Sequence, residues 1–275
     1  MTTIAFVTGS GFYRLEVQGA RRLSIGTPFG TVELDAGEAA GHRCLGLARH
    51  GEWHQRLSNQ VTHRANLWAL REAGAEAVVA STAVGVLDPG VRLGIPILFE
   101  DLFFPSNRLP TGELATFFTR PADPARGHWI AGAPFSPFLR RSLGDAARAA
   151  GIAVRDGGCY GHVDGPRFNT RTEIAWLRSA GVTAVSQTCG PEAVLAGELE
   201  LPYALVGFGV NTTPGSGAAP TAPEELTDLL SRHREVVGRL FAAFLAGLPA
   251  ALRPPRDTGA VYRLVTPPGS ATGSR

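Results

Sequence analysis

The chain has 275 residues, of which 44% are hydrophobic, so it can bury one large core without disulfide bonds. Basic and acidic residues nearly balance, 26 against 24, which excludes the strong positive field of a general nucleic-acid or membrane-surface binder. A small anion such as phosphate needs only a local site and stays compatible with this balance.

The N-terminus and the cysteines favour a cytoplasmic protein. The segment MTTIAFVTGSGF has no basic leader before an apolar stretch, and no apolar run reaches membrane-spanning length. The three cysteines, Cys44, Cys159 and Cys189, are far apart and form no CxxC pair. We therefore expect free thiols in a reducing compartment.

Apolar runs alternate with amphipathic stretches along the chain. Runs typical of buried strands lie at residues 4–7, 77–80, 95–99, 184–186 and 204–206. Helical patterns at 66–73 and 172–178 precede the second and fourth runs. Each pattern ends at a glycine, Gly74 and Gly181, which suits a C-terminal helix cap. The alternation predicts an α/β fold: a single domain with a mixed, largely parallel β-sheet flanked by helices.

The last part of the chain carries one long helical pattern and a tail. Apolar residues from Leu226 to Phe244 recur at helical spacing and predict a helix over 223–245. Residues 249–275 are rich in Pro, Gly and small polar residues, so we expect a flexible tail or a strap laid on a neighbouring subunit. The folded domain is predicted to span 1–248.

Four predicted loops follow apolar runs and carry groups suited to an oxyanion. Open α/β sheets bind their ligands at the carboxyl ends of strands. The four segments are Gly9-Ser10-Gly11, Ala48-Arg49-His50-Gly51, Ser81-Thr82-Ala83-Val84-Gly85 and Gln187-Thr188. Together they supply hydroxyls, backbone N–H groups and one guanidinium, which predicts a site for a phosphate-sized anion.

These segments also have plainer interpretations. A Gly-Ser-Gly sequence is often only a turn, and Arg49-His50 taken alone fits an exposed charged pair. His50, His54 and His63 suggest a zinc site. No cysteine or carboxylate stands in register with them, so we predict no metal.

Two further segments could contact a flat ligand. Phe168 follows Gly165-Pro166 and is either an exposed stacking residue or a core residue. The predicted strand before Asn211 is interrupted by Gly207 and Gly209, as where a ligand approaches the backbone closely. Asn211 itself is either a turn residue or a hydrogen-bonding group for a base.

In combination these motifs resemble the trimeric purine nucleoside phosphorylase family, most closely its methylthioadenosine and methylthioinosine phosphorylase branch. The most specific stretch is residues 47–90, with Arg-His-Gly, Ala-Asn-Leu-Trp-Ala-Leu and Ser-Thr-Ala-Val-Gly in the family's order. GPRF at 165–168 and TCGPEAVLAGELELPYA at 188–204 follow. The resemblance runs from about residue 4 to about 245 and implies the nucleoside phosphorylase fold and a homotrimer.

The resemblance implies phosphorolysis of a purine nucleoside in purine salvage: phosphate attacks the anomeric carbon of the ribose and releases the base. Inorganic phosphate is then a co-substrate, and no metal or organic cofactor is implied. The phosphate site carries over onto Ser10, Arg49, His50, Thr82, Ala83 and Thr188. The nucleoside site carries over onto Phe168, Asn169, Gln187, Asn211, Thr213 and, from the neighbouring subunit, His128. Catalysis is assigned to Asn211, Arg49 and His50.

Several positions depart from the family's pattern. Gln187 stands where the family has a methionine that packs on the ribose, and Asn169 stands where 6-oxopurine enzymes usually have glutamate. Asn211 replaces the aspartate of the adenine-specific branch and favours a 6-oxopurine, because an amide can donate to N7 and can donate or accept near O6. Glu225 aligns with an apolar position of the methylthio pocket. Either it disfavours a thioether there, or it is solvated on the first turn of its helix.

Other functions are compatible with the same residues. A hydrolytic nucleosidase would release the base without phosphate. A divergent member of the family, catalytic or not, would use Gln187, Asn169 and Asn211 to fit an atypical biosynthetic nucleoside. A plain α/β scaffold is the least favoured, because several separate strand-end loops match the family.

Overall fold

A computed structural model describes residues 1–12, 17–215 and 221–264 of the chain. In chain order, strands β1 to β13 are Thr3–Thr8, Gln18–Thr27, Gly30–Ala39, His42–Ala48, Ala77–Val86, Pro96–Leu98, Asp101–Phe103, Gly127–Ala131, Arg155–Asp156, Cys159–His162, Val182–Ser186, Tyr203–Thr212 and Gly259–Arg263. Helices α1 to α5 are His63–Glu72, Pro137–Ala149, Arg171–Ser179, Cys189–Glu198 and Pro223–Gly247. Two short 3-10 helices span Glu52–His54 and Ser58–Gln60.

The centre of the main sheet is parallel and brings three predicted loops to one level. Strand β1 pairs with β4 on one side and with β5 on the other. Thr8 lies opposite Ala48, and Val7 lies opposite Ala80. The segments that begin at Gly9 and Arg49 therefore leave the same edge of the sheet, and Ser81 lies at that level within β5. The loop predicted at Ser81-Gly85 is wrong, because β5 continues as a strand to Val86.

Strand β5 is longer than β1 and changes partner beyond that edge. Its first half pairs with β1, whereas Gly85 and Val86 pair in antiparallel fashion with Val185 and Ala184 of β11. On its other side β5 runs parallel to β12 over its whole length. The change of partner opens the sheet between β1 and β11, which is where doubly wound sheets place their ligands.

Both faces of the central strands are covered. Ala5 and Val7 pack on the side of α1 and α4, whereas Ile4 and Phe6 pack on the side of α2 and α5. Alternate residues of one strand point to opposite faces, so a strand that is apolar throughout needs helices on both sides. The prediction of a single α/β domain with a mixed sheet flanked by helices is confirmed.

The predicted elements are present, most of them with longer bounds, although the strand predicted over 95–99 covers only Pro96–Leu98 and α1 ends at Glu72. The helix predicted over 66–73 is part of α1, and the one predicted over 172–178 is part of α3. Gly74 and Gly181 follow these helices with φ of 87° and 83°, the left-handed conformation that a glycine cap provides. The long helix predicted over 223–245 is α5.

Part of the predicted tail packs on its own chain, which differs from a flexible tail or a strap on a neighbour. Strand β13 pairs with β8, and Val261 is buried there. Glu200 fixes this segment through ion pairs with Arg256 and Arg263, at 3.3 and 3.0 Å. Hydrophobicity did not indicate the strand because much of it is exposed. Residues 265–275 of the tail lie outside the described residues.

The structure also bears on the predictions about the cysteines and about membrane-spanning segments. Cys44, Cys159 and Cys189 are free thiols, and Cys44 and Cys189 are buried. Among the helices that the structure describes, none combines the length and the apolar character needed to cross a membrane.

Candidate active site

A cavity of about 540 Å³ lies where β5 changes partner. Its size is in the range of small-molecule sites. All four predicted segments contribute to its walls, Ser81-Gly85 as part of strand β5, together with the loop before α3 and the first turns of α5. The residues that line it are Ser10, His50, His54, Leu57, Ser58, Thr82, Ala83, Val84, Gly85, Val163, Pro166, Phe168, Asn169, Ile174, Val185, Ser186, Gln187, Thr188, Val210, Asn211, Thr212, Thr213, Pro214, Thr221, Leu226 and Leu230.

Five of the six residues predicted to bind phosphate line this cavity: Ser10, His50, Thr82, Ala83 and Thr188. Thr82 and Thr188 are only 5% and 3% exposed, so their hydroxyls are largely removed from bulk water. Thr188 also precedes α4 as its N-cap, and the positive end of a helix dipole favours an anion. The arrangement can donate several hydrogen bonds to one oxyanion.

His50 is neutral in this environment. Burial lowers its pKa to about 4, helped by the charge of Arg49 and by the neighbouring His54 ring. The two imidazole rings are stacked with centroids 4.3 Å apart. His50 Nδ1 lies 2.9 Å from the carbonyl oxygen of Arg56. Because a carbonyl only accepts, this hydrogen bond assigns the proton to Nδ1 and leaves Nε2 as an acceptor.

Arg49, the sixth predicted phosphate ligand, lies behind the cavity wall and does not line it. The side chain is completely buried and forms two hydrogen bonds with Glu192, at 2.6 and 3.0 Å. Burial lowers the pKa of Arg49, but the Glu192 carboxylate outweighs this and raises it above its ordinary value. The alternative of an exposed Arg49-His50 pair is excluded, because Arg49 is 1% and His50 6% exposed.

The Arg49 guanidinium braces two loops of the cavity from behind. Its Nη1 donates to the carbonyl oxygen of Ser81, at 2.6 Å, next to Thr82. A Cβ atom at Gly9 would lie only 2.6 Å from Nη1, so this position accommodates no larger residue without a shift of the arginine. The glycine of the Gly-Ser-Gly turn therefore makes room for Arg49 beside Ser10.

A chain of hydroxyl groups supports Thr82, and sequence reasoning missed it. Thr82 Oγ1 lies 2.9 Å from Ser186 Oγ, which lies 2.8 Å from the hydroxyl of Tyr160. The backbone N–H of Cys189 donates to that tyrosine oxygen at 3.1 Å. Ser186 directly precedes Gln187 at the end of β11, so its position at a strand end was the available signal. Nothing in the sequence indicated Tyr160.

All the predicted nucleoside residues of this subunit line the cavity: Phe168, Asn169, Gln187, Asn211 and Thr213. Phe168 is 80% exposed, so it is not a core residue and its ring is free to stack on a flat ligand. Asn169 is tied to Glu173 by a hydrogen bond from Nδ2 at 3.3 Å.

The two glycines of β12 have a different role from the one expected. A Cβ at Gly207 would overlap the ring of Phe99, and one at Gly209 would lie 2.9 Å from Val86. They therefore allow close packing of the protein itself, and the expected close approach of a ligand is wrong. The pairing of β12 with β5 shifts between Gly209 and Asn211, and such an irregularity re-aims side chains. Asn211 follows the shift and lines the cavity.

His128 and Glu225 lie away from this cavity. His128 is exposed on β8, opposite Tyr262 of β13, so any contact with a nucleoside would require another subunit. Glu225 is exposed on the first turn of α5, which supports the solvated alternative. Its neighbour Leu226 lines the cavity instead.

No group of three or more His, Cys, Asp or Glu side chains suited to a metal occurs in the described residues. His50 and His54 stack on each other, and Nδ1 of His50 is bonded to Arg56. His63 is completely buried, with its Nδ1 3.9 Å from Glu192.

Comparison with known proteins fits this geometry. A family model described as the phosphorylase superfamily matches residues 3–246. The chain belongs to the phosphorylase superfamily. Its membership rests on nearly the whole domain, including every strand-end loop of the cavity.

Two relatives are similar to this chain over almost their entire length. The 6-oxopurine nucleoside phosphorylase of Pyrococcus furiosus is 32% identical over 257 residues, 92% of this chain and 96% of the relative. A probable S-methyl-5'-thioinosine phosphorylase of Pseudomonas syringae pv. tomato is 36% identical over 254 residues, 91% of this chain and all of the relative.

Solved structures share the fold. A methylthioadenosine phosphorylase from an antarctic soil metagenomic library superposes with a TM-score of 0.84 and 26% identity, covering 97% of this chain and 93% of that one. A methylthioadenosine phosphorylase from Schistosoma mansoni, in complex with tubercidin, has a TM-score of 0.78 at 23% identity and covers 90% and 91% of the two chains. The cavity described above therefore lies in a nucleoside phosphorylase fold.

Proposed function

We propose that the protein is a purine nucleoside phosphorylase, which uses inorganic phosphate to cleave the N-glycosidic bond and gives free base and ribose 1-phosphate. The observation that carries the proposal is that Ser10, His50, Thr82 and Thr188 line the same cavity as the exposed ring of Phe168. Relatives that match this chain along its length are named for this chemistry.

The hydroxyl groups and His50 would hold the phosphate nucleophile. Thr82 and Thr188 can donate to phosphate oxygens in a site from which water is largely excluded, where such bonds are stronger. Neutral His50 would accept a hydrogen bond from the P–OH group of hydrogen phosphate through Nε2. The phosphate charge would then stabilise the positive charge that develops on the ribose as the bond to the base breaks.

The base and the 5′ end would lie against different walls. Asn211 can donate to N7 of the leaving purine and can donate or accept near O6, which favours a 6-oxopurine. Leu226 and Leu230 give the cavity an apolar wall next to α5, and Glu225 points away from it. An apolar 5′ group such as methylthio suits that wall, so we propose 5′-methylthioinosine and inosine as the substrates to compare first.

Base release with and without phosphate tests the proposal directly. Purified protein would be incubated with inosine, guanosine, methylthioinosine and methylthioadenosine, and free base would be measured by chromatography. We expect release only in the presence of phosphate, with ribose 1-phosphate as the second product from inosine and guanosine and 5-methylthioribose 1-phosphate from the two methylthionucleosides. Release at equal rates without phosphate would support a nucleosidase. No reaction, together with an increase in melting temperature by phosphate alone, would support a divergent member acting on another nucleoside.

The assembly, compartment and cofactor requirement belong to the same proposal. We expect a cytoplasmic homotrimer that acts in purine salvage and needs no metal or organic cofactor. Exposed His128, Ile130 and Tyr262 on the β8–β13 pair offer a surface for subunit contact. Sedimentation equilibrium would give the mass, and full activity after treatment with a chelator is expected.

A further inference from the structure

Gln187 joins two segments that are far apart in the chain. Its Oε1 accepts a hydrogen bond from Ser58 Oγ at 2.8 Å, and its Nε2 donates to the carbonyl oxygen of Arg167 at 2.9 Å. Ser58 begins a short 3-10 helix after β4, whereas Arg167 lies in the loop between β10 and α3. Both ends of the amide are therefore bonded to protein.

The loop packs directly on this bridge. A Cβ atom at Gly165 would overlap both Gln187 Oε1 and Ser58 Oγ. The backbone at Gly165 thus lies against the hydrogen bond between the two side chains, and no larger residue fits at that position without displacing them. The contact at Gly165 and the hydrogen bond to the carbonyl oxygen of Arg167 therefore hold two nearby positions of the loop between β10 and α3.

The far end of the loop is fixed to α3. The Arg167 guanidinium bonds both oxygens of Glu173, at 2.6 and 2.9 Å. Thr170 and Glu173 form a reciprocal capping box at the start of α3. The residues between these two attachments include Phe168 and Asn169, which line the cavity. Phe168 is 80% exposed and has little packing of its own, so its place over the cavity depends on the backbone at Arg167.

We propose that Gln187 is a positioning residue that fixes Phe168 and Asn169 over the nucleoside through its hydrogen bonds to Ser58 and Arg167. The inference rests on the proposed function and adds a determinant of nucleoside affinity to it. An amide is required because Oε1 accepts and Nε2 donates in the same bridge. A methionine in this place has no N–H to donate and only a weak acceptor in its sulfur. The site is thereby preorganised for the nucleoside, which reduces the entropy lost on binding.

Steady-state kinetics of three variants test the proposal. Gln187→Met removes both hydrogen bonds, and Gln187→Glu keeps the acceptor for Ser58 but loses the donor to Arg167. We expect both to raise the nucleoside KM by about 10-fold, with the phosphate KM and kcat changed less than about twofold. Gln60→Met is the matched control, because it removes a hydrogen bond from the N–H of Leu57 to Gln60 in the same 3-10 helix as Ser58 and leaves the bridge of Gln187 intact, and because Gln60 does not line the cavity. Equal nucleoside KM values in Gln187→Met and Gln60→Met would overturn the proposal.

Limited trypsin digestion measures the same loop without any substrate. The Arg167–Phe168 bond is a trypsin site within the loop, and the Arg108–Leu109 bond, whose exposed arginine does not line the cavity, is an internal reference. We expect cleavage at Arg167 relative to Arg108 to increase about 10-fold in Gln187→Met and Gln187→Glu, and to be unchanged in Gln60→Met. An unchanged ratio would overturn the proposal. An increased ratio in a protein that releases no base would refute the phosphorylase function but keep the positioning role.

Discussion

The carboxylate of Glu192 holds the guanidinium of Arg49 through two hydrogen bonds, Nε to Oε1 at 2.6 Å and Nη2 to Oε2 at 3.0 Å, with both side chains sealed from solvent. Tyr203 donates a further hydrogen bond to the same carboxylate at 2.8 Å. The pair lies beneath the turn that carries Ser10 and the part of β5 that carries Thr82. It therefore links the stability of the fold to the shape of the anion site.

Removing the charge of Glu192 should destabilise the protein strongly. Glu192→Gln leaves the Arg49 charge buried without its counter-ion, and we expect the free energy of unfolding to fall by about 3 kcal/mol or more in urea denaturation. Glu198→Gln, in the same helix, is the control, since Glu198 bonds Thr116 and the backbone of Phe117 and not a guanidinium. The double variant Arg49→Met with Glu192→Leu should recover much of the stability without the activity. If Glu192→Gln and Glu198→Gln lowered the free energy of unfolding equally, the role given to the Arg49–Glu192 pair would be contradicted.

Thr188→Val should weaken phosphate binding selectively. The substitution keeps the shape and removes a hydroxyl that lines the cavity, and a hydrogen bond to a charged group contributes about 1.5–3 kcal/mol. We expect the phosphate KM to rise by roughly 10- to 100-fold while the nucleoside KM changes little. Thr183→Val, on β11 and outside the cavity, is the control. Initial rates at varied phosphate would show the difference, and an unchanged phosphate KM would remove Thr188 from the anion site.

Asn211→Asp should move the preference from 6-oxo towards 6-amino purines. A carboxylate only accepts hydrogen bonds, so it repels O6 of a 6-oxopurine and can accept from a 6-amino group or from protonated N7. We expect the ratio of kcat/KM for methylthioinosine over methylthioadenosine to fall by about 10-fold or more. Asn211→Ala should lower both values together. If the ratio stays constant in both variants, Asn211 does not contact the base.

The 5′ preference should depend on Leu226 and not on Glu225. Leu226→Asn places a polar group in the apolar wall, so the advantage of methylthioinosine over inosine in kcat/KM is expected to fall by about 10-fold. Glu225→Ala is the neighbouring control and should leave the advantage intact, because the carboxylate is exposed. A larger effect from Glu225→Ala than from Leu226→Asn would place the carboxylate in the pocket.

Stability should fall as the pH is lowered from 7 to 5. Burial lowers the pKa of His50 and His233 to about 4 and that of His63 and His162 to about 3. The unfolded chain then binds more protons than the folded one below pH about 6.5, so each histidine weakens the fold by up to about 1.4 kcal/mol per pH unit as the pH decreases. Urea denaturation at several pH values would show the slope.

The contribution of His233 to the pH dependence of the unfolding free energy can be measured separately. His233 is completely buried and stacks on Phe208 with ring centroids 5.2 Å apart. His233→Leu cannot take up a proton, so the slope between pH 7 and pH 5 should decrease by roughly one quarter if the four histidines contribute equally. His128→Ala changes an exposed side chain and serves as the control. A slope that is the same in all three proteins would exclude His233 from the acid sensitivity.

The sequence predicted the central strands, the capped helices and the strand-end loops, because those signals are local. Apolar runs, Gly74 and Gly181 each act within a few residues of their own position. The β2–β3 hairpin was not predicted, since most of β2 is exposed and offers little apolar periodicity. Helix α2 was also missed, although Ser136 caps it through a hydrogen bond to the N–H of Leu139.

The sequence predicted which residues line the candidate site better than it predicted which partners their side chains bond. Ser10, His50, Thr82 and Thr188 line the cavity as expected. Arg49 does not, because its partner Glu192 is 143 residues away and only the folded sheet brings the two together. Gln187 was expected against the ribose, yet both ends of its amide bond Ser58 and Arg167. Pairings over such distances leave no periodic or compositional trace in the chain.

The change of partner along β5 determines how late in folding the cavity can form. The groups that surround the cavity come from the first strand, the middle of the chain and β12, and they meet only after β5 has paired with β1, β11 and β12. Leu226 and Leu230 of α5 complete the wall, so no fragment that ends before α5 contains the whole pocket. During synthesis the site stays unformed until the chain has emerged as far as Leu230, so the return of phosphate-dependent activity after dilution from urea reports the completed sheet with α5 packed on it rather than any early intermediate.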